Sequence, residues 1–104
     1  MNIDFIKHFG IDSMNDQSDV QKIAPDVSAV KFSNGNKNFV AVMTDYFDED
    51  DIKNGFPDKI RQLFGVRQVT FIASDHENSG VSDMARNLAV PNNGHGWVLL
   101  AEVR

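Results

Sequence analysis

Three short runs constrain this chain more than anything else in it: Phe39-Val40-Ala41-Val42-Met43, Val69-Thr70-Phe71-Ile72-Ala73 and Trp97-Val98-Leu99-Leu100-Ala101. Each is apolar at alternate and at intervening positions, so a strand built from it must hide both faces. Strands of that kind belong inside a sheet covered on both sides, which predicts an α/β domain (bordering on α+β). At 104 residues there is room for one such domain, spanning 1–104. Eight Phe within a 41% hydrophobic composition supply the core and argue against disorder.

Local signals give the element order. Asn2 to Phe9 reads as a short helix ended at Gly10. Ser18 with Gln21 matches a capping box, and Val20, Ile23 and Ala24 form an inward stripe that Pro25 must end. Asn34-Gly35 lies between two β-rich runs, Val27–Phe32 and Asn38–Met43, and predicts a hairpin. Lys31 suits an edge strand for the first run, while the second is internal. Asn54-Gly55 punctuates a polar stretch, and Pro57 opens a helix to Phe64 with Ile60, Leu63 and Phe64 inward and Gly65 closing it. A strand over Val66–Ala73 follows. Ser79 then caps a helix carrying Val81, Met84, Ala85 and Leu88 at amphipathic spacing, and Trp97–Ala101 is the last strand. The expected order is α-(α)-β-β-α-β-α-β. Helical connections usually return parallel strands, so the expectation is a four-stranded mixed sheet with its N-terminal hairpin strand antiparallel and helices covering it.

Charge and composition exclude several functions. Fifteen acidic against ten basic residues give a formal charge of −5, which disfavours the basic patch that nucleic-acid binding requires. The closest basic grouping, Lys59, Arg61 and Arg67, is interrupted by apolar positions. With no cysteine there is no disulfide, thiolate metal site or Cys nucleophile. The first residues lack the pattern of a signal peptide, and no run is long enough for a membrane span. A cytoplasmic protein without cofactor is the expectation. No Gly-x-Ser-x-Gly elbow surrounds any Ser, and no phosphate loop or His-Glu-x-x-His motif occurs, so no catalytic residue is assigned.

If the last three strands are parallel, their carboxyl ends share one edge. That edge gathers Asp45, Asp48, Glu49, Asp50 and Asp51, then Asp75, His76 and Glu77, then Glu102. His95, just before the last strand, falls at the opposite edge. The acidic run can be read as solvated loop and helix-start residues that offset the helix dipole. It can also be read as a docking rim for a basic protein partner, formed by Asp45, Tyr46, Phe47, Asp48, Glu49, Asp50, Asp51, Asp75, His76 and Glu77, where aromatic anchors join steering charge. A third reading is a divalent-metal hydrolase site with Asp45, Asp75 and Glu77 as oxygen ligands and His76 as ligand or base. Its spacing matches no calcium or zinc pattern, and the strand around Phe71 offers no Lys beside the carboxylates, as a metal-dependent nuclease would have. His8 reads as a surface residue, Ser79 as a plain cap and Trp97 as core. The favoured expectation is a small acidic binding module of the inhibitor, immunity-protein, antitoxin or adaptor kind. Its edge strand Val27–Phe32 could pair with a second copy.

Overall fold

The computed structural model describes residues 15–76 and 96–104, with the backbone alone at Asp75 and His76. The helices expected over Asn2–Phe9 and around Val81–Leu88 lie outside the described residues, as do His8, Glu77, Ser79 and His95.

Among the described residues five strands form one sheet: β1 (Gln21–Ala24), β2 (Val27–Asn34), β3 (Lys37–Thr44), β4 (Val69–His76) and β5 (Trp97–Val103). Every pairing is antiparallel, in the order β1-β2-β3-β5-β4. This overturns the expected four-stranded mixed sheet with helices covering it. The helix after β3 does lead to another strand, but that strand does not return to β3's side. β5 lies between them and runs against both.

The segment read as a second helix is strand β1. Asp26 takes φ +60° directly after Pro25, and Ala24 pairs with Val27. Proline followed by a positive-φ residue is the signature of a type II turn, and Asp tolerates that region better than most residues. Ser18 caps no helix. Its Oγ accepts the Lys31 N–H at 2.9 Å, and its own N–H bonds the Lys31 carbonyl at 2.8 Å. The chain thereby extends along β2, which is an inner strand and not the expected edge.

The β2–β3 hairpin forms with full register from Val27↔Thr44 to Asn34↔Lys37. Its turn is one residue later than the sequence suggested. Gly35 and Asn36 are central, and Gly35 alone takes positive φ, at +63°, as a type II′ turn requires of its first central residue.

After β3 a π-helical turn, Asp51–Gly55, runs straight into α1 (Phe56–Phe64). Gly55 is helical, with φ −61°, so Asn54-Gly55 is no break. Pro57 lies in the first turn of α1 and Gly65 closes it in the left-handed region, as expected. Ile60 is fully buried, whereas Leu63 is 43% exposed and does not face inward.

Double apolarity has a direct cause. On one face of the sheet Ile23, Val27, Ala29, Val40, Val42, Leu99, Ala101 and Val103 pack with Phe56 and Ile60 of α1. On the other, Val30, Phe32, Phe39, Ala41, Met43, Val98 and Leu100 form a second buried cluster, where Phe32 and Phe39 stack at 5.5 Å. β3 and β5 feed both clusters, so neither can spare a polar position.

Candidate docking surface

Because β3 and β4 both oppose β5, they run in the same direction and finish at the same end of the sheet. Thr44 pairs with Trp97, and Trp97 with His76. The β1–β2 turn joins them there, since Val27 also pairs with Thr44. This end therefore holds Asp26, the Asp45–Asp51 stretch, and the backbone of Asp75 and His76. Glu102 sits near the far end, opposite Phe39 and Thr70. The start of β5 shares the acidic end, contrary to the expectation that placed it at the opposite edge.

Thr44 shapes the loop. It is buried at 5% exposure, and its Oγ1 donates to the Tyr46 carbonyl at 2.7 Å and accepts the Tyr46 N–H at 3.3 Å. That hydroxyl-to-backbone turn closes the strand and throws Tyr46 outward, where its side chain is 72% exposed. Phe47 goes the other way. It joins the α1-side cluster and meets Trp97 edge to face, with ring centroids 5.3 Å apart at 90°. Of the two aromatics expected to anchor a partner, Tyr46 is free at the surface and Phe47 is committed to packing.

Gly96 fits beneath this loop. A Cβ there would lie 2.5 Å from the Thr44 carbonyl oxygen and 2.7 Å from Asp45 Oδ1, and φ is +97°. Only glycine allows so close a backbone approach without displacement.

The acidic run has local employment. Asp51 N–H bonds Asp48 Oδ1 at 2.9 Å while Asp48 N–H bonds Asp51 Oδ2 at 3.0 Å. This reciprocal pair satisfies donors at a helical start as a capping box does. Asp50 accepts from Asn54 Nδ2 at 2.8 Å, and Glu49 pairs with Lys53 four residues on. Those side chains are well exposed, so the ion pair contributes little. Asp45 is exposed, and Asp51 is half-buried.

Cations collect at the opposite end. Arg61 Nε donates to the Arg67 carbonyl at 3.1 Å, and Arg67 N–H bonds the Arg104 carbonyl at 2.8 Å. Arg61 pairs with Asp58 and Arg104 with Glu102. Among the described residues the Asp45–Asp51 carboxylates and these arginines thus lie at opposite ends of the strands, with two of the arginines paired to acids.

Among the described residues no group of three or more His, Asp or Glu side chains is placed to hold a metal. The set Asp45, Asp75, His76 and Glu77 extends beyond those residues. Sequence reasoning did not single out Thr44, Gly96 or Asp26. Thr two positions before Tyr46 at a strand end, a Gly directly before a strand, and Pro-Asp between two short runs were the available signals. Among the described residues no helix is long and apolar enough to cross a membrane. The chain matches no family model, no curated protein and no solved structure.

Proposed function

We propose that this chain is a small cytoplasmic protein-binding module, of the inhibitor, immunity-protein, antitoxin or adaptor kind, that docks a basic partner on the end of the sheet carrying Asp45–Asp51. The observation that carries the reading is Tyr46, 72% exposed yet fixed at its backbone by Thr44, set among exposed carboxylates. An aromatic with little conformational freedom to lose supplies contact energy, and the surrounding charge speeds encounter. Asp48, Asp50 and Asp51 are held by local bonds, so their charges are presented in a set arrangement.

The test starts with a pulldown from native-host lysate using the wild type, Tyr46→Ala, and a variant carrying Asp48→Asn, Glu49→Gln, Asp50→Asn and Asp51→Asn. The partner so identified is then purified and its association rate measured against salt. The reading expects a basic protein whose association slows by about tenfold in the neutralised variant and loses its salt dependence. It expects Tyr46→Ala to speed dissociation instead. Failure to retain any partner, or rates indifferent to salt and to both changes, would refute it.

A further inference from the structure

The sheet has two edges, and they differ. β1 is four residues long, carries the exposed Lys22 and is followed by Pro25. Short length, an edge lysine and a proline are the usual guards against further pairing. β4 spans eight residues, and from Val69 to Ser74 it holds no charge, proline or glycine. Val69, Phe71, Ile72 and Ala73 are half-buried. No strand lies beyond β4 among the described residues.

Hydrogen-bond phase decides what that edge offers. Gln68 and Arg104 exchange both backbone bonds, each at 3.1 Å. In an antiparallel ladder the next fully bonded pair is two residues on, at Thr70 and Glu102. Val69 and Phe71 lie between these positions, so their N–H and C=O groups point away from β5, toward the side where no strand lies among the described residues. The register stays regular up to Phe71, and the irregularity comes only between Phe71 and Ala73.

We infer that β4 pairs antiparallel with β4 of a second copy of this chain, about a two-fold axis at Thr70. In that register Val69 of each copy faces Phe71 of the other, and the outward groups of both residues meet as a fully bonded pair. The two Thr70 residues face each other as the intervening non-bonded pair, which their inward-turned backbone groups require. Arg67 precedes the strand by two residues and Asp75 lies within its last two. Antiparallel pairing brings the end of one copy that follows Arg67 alongside the end of the other that holds Asp75, whereas parallel pairing would bring like ends together. The expected edge pairing through Val27–Phe32 cannot form, because both sides of β2 are occupied.

Thr70 is exposed, so substitution there spares the core. Sedimentation equilibrium of the wild type should show the mass of two chains at high concentration. Thr70→Lys and Thr70→Glu should each weaken self-association several-fold, because like charges then face across the axis. Mixing the two variants should restore a dimer, and circular dichroism with thermal melting should show each variant folded. Independently, amide exchange at Val69 and Phe71 should slow as concentration rises, with Thr70 unchanged. A wild type that stays at the mass of one chain up to about 1 mM, the weak limit of a specific contact, overturns the proposal. So does a dimer that persists in both variants, a mixture that stays monomeric, or exchange at Val69 and Phe71 that ignores concentration.

Discussion

Asp48 tests whether the acidic run serves the fold, the charge, or both. Asp48→Ala removes the acceptor of the Asp51 N–H and leaves the reciprocal bond, in which Asp51 accepts from the Asp48 backbone. Loss of a cap side chain costs about 1 kcal/mol, and loss of a carboxylate from a helical start adds a few tenths at an exposed site. Asp48→Asn keeps an oxygen in the same place and should cost only about 0.3 kcal/mol. Against a stability on the order of 5–10 kcal/mol, the alanine variant should melt roughly 4–8 °C lower and the asparagine variant within about 2 °C of wild type. Urea unfolding followed by Trp97 emission and circular dichroism measures both, with an unchanged m-value showing that the denatured state is not the cause. Equal losses in the two variants would refute the capping argument and assign the effect to charge. Two negligible losses would show that water replaces the cap. If the order holds, the fourfold amide variant alters charge with little structural cost, and its effect on partner association can be read as electrostatics.

Two further outcomes follow from packing. Gly96→Ala should cost about 2–4 kcal/mol in urea unfolding, since the new Cβ meets the Thr44 carbonyl at 2.5 Å on a backbone at φ +97°. A loss under about 0.5 kcal/mol would mean that the loop yields freely. Ile60→Ala should cost about 2–5 kcal/mol, because the side chain is fully buried between α1 and the sheet. Leu63→Ala, at 43% exposure, should cost under half as much, and equal losses would contradict the orientation of α1.

The parts of the fold legible in the sequence were those decided locally. Pro57 and Gly65 bracket a helix by their own backbone preferences, and the doubly apolar runs at Phe39–Met43 and Trp97–Ala101 are inner strands, whereas Val69–Ala73, read the same way, lies in the edge strand β4. The hairpin was legible to within one residue, because both Asn34-Gly35 and Gly35-Asn36 satisfy a tight turn in composition. What failed was decided at a distance. Ile23 and Ala24 fit a helical stripe as well as a strand, and pairing with β2 settles the matter through Lys31, thirteen residues beyond Ser18. Strand direction failed for a similar reason. The rule that helical connections return parallel neighbours holds when the two strands are adjacent, and here β5 separates them. At the candidate surface, the acids were visible as charges, but their mutual capping and the opposite fates of Tyr46 and Phe47 depend on where Thr44 ends its strand.

The wrong topology and the observed one nevertheless send two chain segments to the same place, by parity. Strands separated by one antiparallel neighbour run in the same direction, just as parallel neighbours do. The ends of β3 and β4 therefore meet at one end of the sheet in both arrangements, and only β5 distinguishes them. Its reversal carries Glu102 and Arg104 to the far end, beside Arg61 and Arg67, and brings Trp97 between the ends of β3 and β4. The reversal takes Glu102, expected at the acidic edge, away from Asp45–Asp51. It also supplies the packing that holds the loop, because Trp97 takes Phe47 edge to face and Gly96 admits Asp45. The acidic end is thus built on Gly96 and Trp97 at the start of β5, and a change at Gly96 should disturb the Asp45–Asp51 loop before it disturbs the arginine end.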